Sequence, residues 1–108
     1  MRERALIWGA SGHAKVVAEI LVMTGFEIAG FLDDAHPERK GEEFFGGPIL
    51  GGIGELTALR ASGISQAIVG FGDNQRRISA GETLEQHGFQ LCRAIHPGAV
   101  LSRSVIIG

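Results

Sequence analysis

The chain has 108 residues and a mass of 11.4 kDa, room for one small domain with its core but not for two. Lys plus Arg number 10 against 12 for Asp plus Glu, a formal charge of −2, which argues against the basic face that nucleic-acid and membrane-surface binders use. Hydrophobic residues at 44% and charged residues at 20% suit a packed globular domain and exclude a disordered one.

The chain starts Met1-Arg2-Glu3-Arg4, without a signal-peptide pattern. It runs directly into Ala5-Leu6-Ile7-Trp8, a short apolar run that reads as a buried strand ended by Gly9. After Gly9-Ala10-Ser11-Gly12 a helix is predicted from about His13 to Met23. Val17, Ile20, Leu21 and Thr24 recur there at i, i+3, i+4 and i+7, with Gly25 as the stop. Ile28 to Leu32 is a second strand closed by Asp33-Asp34, and Ala35 to Gly47 reads as a mobile surface loop. Pro48-Ile49-Leu50 follows as a short edge strand, Gly54 to Ala61 as a short helix, and Gln66 to Val69 as another buried strand. A third helix spans about Asn74 to His87, stopped by Gly88, and Gln90 to Ile95 is the last strand.

This order of strands and helices, with short connections, predicts an α/β fold: a Rossmann-like, mostly parallel sheet with helices on both faces. The glycines, 17 of 108, are scattered, which points to many tight turns. No apolar run reaches membrane-spanning length, and a soluble cytoplasmic domain is the expectation. The single cysteine, Cys92, excludes an internal disulfide framework and reads as a core residue.

The last 14 residues follow another rule. Ile95, Leu101 and Ile107 recur every six residues with small or polar residues between them, the mark of a hexapeptide β-helix. A solenoid needs at least one full coil to bury its core. The chain is therefore expected to divide into a Rossmann-like domain, residues 1–94, and the first partial coil of a left-handed β-helix, residues 95–108, belonging to a longer protein.

Three places could carry chemistry. Gly9-Ala10-Ser11-Gly12-His13 lies where the first strand meets the first helix, and free N–H groups at a helix start suit a phosphate. Against the dinucleotide fingerprint G-x-G-x-x-G/A, Gly9 and Ala14 fit but Ser11 replaces the second glycine. The plainer alternative is a tight turn permitted by Gly9 and Gly12, with Ser11 capping the helix. Asp33 and Asp34 end the second strand, 24 and 25 residues after Gly9, where a carboxylate can accept hydrogen bonds from a ribose or a base edge. They are equally compatible with a solvated turn.

Gly70 to Arg77 follows the fourth strand, with Asp73 or Asn74 as N-cap and two arginines in the first helical turn. Cations there oppose the helix dipole by roughly 0.3–1 kcal/mol each. Either Asp73 and exposure to water make that harmless, or an anionic ligand offsets it. The four histidines are dispersed and give no metal-ligand spacing. His13 is placed to donate to a ligand phosphate or to pack on the turn, whereas His36 and His87 read as surface residues.

Together these residues resemble the N-terminal domain of the bacterial sialic acid O-acetyltransferase (NeuD/PglD-like) family of nucleotide-sugar acyltransferases. The resemblance rests on Gly9-Ala10-Ser11-Gly12-His13-Ala14-Lys15-Val16-Val17, Phe31-Leu32-Asp33-Asp34 and Ile49-Leu50-Gly51. It continues through Gly72-Asp73-Asn74 with Arg77 and Ile95-His96-Pro97-Gly98-Ala99-Val100. It implies that Gly9, Ser11, Gly12 and His13 face a diphosphate, that Asp33 and Asp34 face the nucleoside, and that Asn74 and Arg77 line the same cleft. The implied partner is a nucleotide-linked amino sugar of the UDP, GDP or CMP type.

In such enzymes a β-helix domain binds the co-substrate acetyl-CoA, forms a homotrimer, and supplies a general-base histidine suited to the task by a pKa near neutrality. His96 matches the β-helix entry and not that catalytic position, so this chain holds no catalytic residue. It is expected to bind substrate without turning it over, and to be a monomer or weak dimer. Ser102-Arg103-Ser104 departs from the hexapeptide pattern, which more often has proline or glycine there. Two competing readings are an NAD-binding Rossmann module of an oxidoreductase or redox sensor, and a non-catalytic interaction domain.

Overall fold

The computed structural model describes residues 3–92. Five strands form one sheet: β1 (Arg4–Trp8), β2 (Glu27–Leu32), β3 (Ile49–Gly51), β4 (Gln66–Val69) and β5 (Gln90–Leu91). The spatial order is β3-β2-β1-β4-β5, and every pairing between these strands is parallel. Three helices connect them: α1 (Gly12–Met23), α2 (Leu56–Ala61) and α3 (Asn74–Gln86). The hexapeptide segment 95–108 and the predicted end of the last strand lie outside the described residues.

The alternation along β1 shows how the sheet is covered. Ala5 and Ile7 point into one core with Val17, Leu21 and Phe31, under α1. Leu6 and Trp8 point into the other with Leu56, Ala80 and Leu84, under α2 and α3. Successive side chains of a strand face opposite sides, so a strand buried on both faces reads as a continuous apolar run. Each fully buried Leu, Ile or Phe contributes about 1.5–3 kcal/mol. The helix-to-strand connections are right-handed by preference. The chain winds outward from β1 first through β2 and then, in the other direction, through β4, which puts α1 and α3 on opposite faces.

Both longer helices stop the same way. At the end of α1, Gly25 takes φ +98°, its N–H donates to the Val22 carbonyl at 3.1 Å, and the Phe26 N–H reaches the Leu21 carbonyl at 3.0 Å. At the end of α3, Gly88 at φ +90° and the buried Phe89 repeat the pattern, bonding the Glu85 and Leu84 carbonyls at 3.0 Å each. This is the double bond of a Schellman cap, which needs a left-handed residue.

Residues Ala35 to Gly47 are not a free surface loop. Pro37–Arg39 forms a turn of 3₁₀ helix. The Gly41 N–H donates to the Ile49 carbonyl at 2.8 Å, and the Ile49 N–H returns to the Glu42 carbonyl at 2.7 Å. The Phe44 ring meets the buried Phe31 edge-on, centroids 4.8 Å apart. The composition of this stretch is polar, but one aromatic anchor and a backbone ladder to β3 fix its course.

Candidate functional site

In an open parallel sheet the crevice lies beyond the strand ends, where the chain switches winding direction. Here that point is the end of β1, between β2 and β4. The Gly9 N–H donates to the Leu32 carbonyl and the Gly70 N–H to the Trp8 carbonyl, both at 2.8 Å, so the three strand ends are tied side by side. Gly9 adopts φ +138°, and a Cβ there would lie 2.9 Å from the Gly70 carbonyl oxygen. Only glycine fits this approach.

Two adjoining cavities open at these ends. The first, about 290 Å³, is lined by Gly9, Ala10 and Ser11, by Asp33 and Asp34, and by Arg76. The second, about 360 Å³, extends over α3 between Ile53 and Thr83. Trp8, Asp34, Ala35, Phe71 and Arg76 line both. Trp8 and Phe71 stand perpendicular, centroids 6.3 Å apart, and form the apolar wall at the seam.

The two aspartates behave differently. Asp33 is enclosed, its side chain 11% exposed, and both its oxygens are engaged inside the protein. Oδ2 accepts from Arg39 Nη1 at 2.7 Å and Oδ1 from the His36 N–H at 3.1 Å. Asp34 is exposed and engages one oxygen, Oδ1, with the Ile53 N–H at 3.1 Å. Its other oxygen has no bond among the described residues. The nucleoside contact expected of both carboxylates is thus open to Asp34, whereas Asp33 is turned to the protein.

Arg39 also lines the first cavity, and no local sequence pattern singled it out. Its Nη1 also donates to the Ala10 carbonyl at 3.2 Å and its Nε to Glu42 at 3.3 Å, so it ties the 35–47 segment to the glycine turn. The hydrogen bond it donates to Asp33, and then that to Glu42, raise the pKa of its guanidinium above the ordinary arginine value.

The Gly9–His13 turn is where the sequence put it. Ser11 is the N-cap of α1 in extended backbone, but its side chain makes no capping bond. Capping therefore does not account for the serine, whose hydroxyl stands exposed beside the first cavity. Gly12 opens the helix with nothing within 4 Å of a built Cβ, so packing does not demand a glycine there. His13 lines neither of these two cavities. Its ring lies beside the Gly72 backbone, and its Nε2 is shut off from solvent with no hydrogen-bond partner.

Asp73 caps α3, accepting from the Arg76 N–H at 2.8 Å. Of the two arginines that follow, Arg76 lines the cleft. Arg77 instead lines a third cavity of about 290 Å³, beside Ile68, Leu91 and Cys92, and donates to Asn74 Oδ1 at 2.9 Å. Neither Asn74 nor Arg77 is a wall of the two joined cavities. Helix spacing is the signal that separates the arginines: Arg76, Ser79, Ala80 and Thr83 fall at i, i+3, i+4 and i+7 and together line the second cavity. His36, read as a surface residue, is exposed and stands on the rim of the first cavity. His87 is half-buried, its Nδ1 2.9 Å from the Thr83 carbonyl.

Among the described residues no group of three His, Cys, Asp or Glu is placed to hold a metal ion, and no helix is long and apolar enough to cross a membrane.

Residues 4–84 match the family model of the PglD N-terminal domain. The chain belongs to this family. Its fold is similar to that of PerB from Caulobacter crescentus, solved in complex with CoA and GDP-perosamine: TM-score 0.78 and 40% identity over 86% of this chain and 42% of that one. It is similar too to the acetyltransferase domain of PglB from Neisseria gonorrhoeae, solved with acetyl coenzyme A, at TM-score 0.72 and 32% identity over 90% and 45% of the two chains. The uncharacterized protein L142 of Acanthamoeba polyphaga mimivirus is 33% identical over 99 residues, 92% of this chain and 19% of that protein. The chain therefore spans less than half the length of these relatives. A Rex-family repressor has the same fold at TM-score 0.65, but at 17% identity the likeness is one of architecture alone.

Proposed function

We propose that this chain is the nucleotide-sugar-binding domain of a sugar N- or O-acetyltransferase that takes its acetyl group from acetyl-CoA. The observation that carries the reading is the cleft at the switch point, whose two ends have opposite polarity. At one end the N-terminus of α1 is preceded by Gly9, Ala10 and Ser11, small residues that let a phosphate reach backbone N–H groups. At the other, the free oxygen of Asp34 can accept from a ribose or a base edge. The nucleotide-sugar and CoA found with PerB support the same substrate class here.

In this reading the Rossmann-like unit comprises residues 1–94, and residues 95–108 begin the β-helix that binds acetyl-CoA, forms the trimer and carries the general base. Gly12 gives the phosphate room. The sugar amine or hydroxyl would attack the thioester on that following domain, so the described residues hold and orient the substrate but transfer nothing. Ser11 in place of the second glycine of the dinucleotide fingerprint argues against the NAD-module reading.

The test is a calorimetric titration of the chain with UDP, GDP, CMP and NADH side by side. Preferential binding of one of the first three, lost in Asp34→Ala, is the expected result. Tighter binding of NADH, or none of the four, would overturn the proposal.

A further inference from the structure

We propose that Arg76 grips the phosphates of the bound nucleotide, at the seam between the two cavities. The inference rests on the nucleotide-sugar reading of the cleft and adds to it a residue that selects for the charged part of the ligand.

Arg76 lines both cavities. Its guanidinium carbon lies 4.7 Å from the centroid of Phe71, which is itself set edge-on against the buried Trp8. A guanidinium on an aromatic face is oriented through its flat surface while its N–H donors, which lie in its plane, stay free. The side chain is thus placed by the wall without being used up by it.

Nothing among the described residues neutralises it. The ion pairs there join Arg39 to Asp33 and Glu42, Lys40 to Glu55, and His36 to Glu38. Asp73, the nearest carboxylate in sequence, bonds the backbone N–H of Arg76 and not its guanidinium. The other arginine of the cleft, Arg39, has Nη1 committed to Asp33 and Ala10 and Nε to Glu42. Arg76 also sits in the first turn of α3, where the helix dipole disfavours a cation. Among the described residues its side chain makes no hydrogen bond or ion pair, and an anion in the cleft would offset its unfavourable position.

The polarity of the cleft names the anion. Asp34 follows β2 and Arg76 follows β4, the two strands that flank β1. A carboxylate on one side repels phosphate and suits hydroxyl and amino groups. On the other side, Arg76 and the backbone of the glycine turn face the same cavity and suit phosphate oxygens. The ligand therefore lies with its nucleoside toward Asp34 and its phosphates between Ser11 and Arg76.

The experiment compares the chain with Arg76→Gln and Arg76→Lys, using whichever of GDP, UDP and CMP binds best together with its nucleoside. Calorimetry follows the nucleotide at two salt concentrations, and NMR follows the nucleoside at millimolar concentration. Thermal unfolding checks that the exposed substitutions leave the fold intact. Arg76→Gln should weaken the nucleotide about tenfold or more, flatten its salt dependence and leave the nucleoside unchanged, with Arg76→Lys recovering part of the loss. Equal affinity in Arg76→Gln and the parent chain would overturn the proposal while leaving the nucleotide reading standing. So would an equal loss of nucleotide and nucleoside, or, with Arg77→Gln measured alongside as a control, a loss that falls on that variant instead. Failure of the parent chain to take up any nucleotide would remove both.

Discussion

Arg39 and Asp33 meet at 2.7 Å with their side chains 28% and 11% exposed, and through this contact a segment rich in charge and glycine becomes one wall of the cleft. The same guanidinium nitrogen holds the Ala10 carbonyl, so the strand-two carboxylate, the glycine turn and the 35–47 segment are fixed by one side chain. A charge-assisted bond with this geometry is among the stronger side-chain contacts. Its role here is positional.

Removing that side chain should therefore loosen one segment and leave the sheet as it was. In Arg39→Ala, hydrogen exchange at the amides of Gly41 and Ile49, which pair 35–47 with β3, should quicken. Exchange in β1 should not change, and Asp33→Asn should give a smaller effect in the same direction. Uniform acceleration across the chain, or none, would contradict the clamp.

The two glycines of the turn between β1 and α1 should separate cleanly on substitution. Gly9→Ala forces a side chain into left-handed backbone against the Gly70 carbonyl, a strain of about 1–3 kcal/mol, visible as lost stability in urea. Gly12→Ala meets open space in the first turn of α1, where alanine favours the helix by up to about 1 kcal/mol over glycine. It should unfold no earlier than the parent chain and yet, on the proposed reading of the turn, bind nucleotide more weakly, because the added methyl would stand in the phosphate's approach. A Gly12→Ala protein that binds normally would remove the turn from the site.

The sheet was legible in the sequence because its inner strands β1 and β4 are covered on both sides. Leu6, Ile7, Ile68 and Val69 are all buried, so no polar alternation interrupts the apolar runs. The helix ends were legible because Gly25 and Gly88 stand where a left-handed residue is required. What escaped the sequence is what depends on distant residues. Arg39 acts on Ala10, 29 positions away, and Phe44 on Phe31, pairings that no local pattern encodes. Arg76 and Arg77 are neighbours turned about 100° apart on one helix. Choosing between them required the cleft-facing stripe that runs from Arg76 to Thr83.

The cap of α3 should matter for both stability and the site. Asp73→Ala removes the bond to the Arg76 N–H, a loss of about 1 kcal/mol for an N-cap. Because α3 covers the sheet with Ala80 and Leu84, that loss should appear as a lower global denaturation midpoint. Asp73→Asn, which can still cap, should restore most of it. A midpoint unchanged in Asp73→Ala would mean that the helix start is held by other contacts.

Cys92 gives a pH dependence of known sign. Burial, the largest cause, pushes its thiol up to about 11 from the ordinary 9.0, with a small raising contribution from Glu3 and a backbone hydrogen bond working the other way. The folded chain therefore holds this proton more tightly than the unfolded chain. Below pH 9 both states are protonated and the thiol leaves stability unchanged. Between 9 and about 11 the unfolded state ionises first, so stability falls as pH rises. The thiol is only half-buried, and after allowing for its contact with water the loss is at most about 2 kcal/mol. Urea unfolding at about pH 8 and about pH 10.5 should show a steeper decline in the parent chain than in Cys92→Ala. Alkylation by iodoacetamide at the lower pH should be slow until the chain is unfolded, since the thiolate is the nucleophile. Equal declines in the two proteins would place the thiol in water and overturn the assignment.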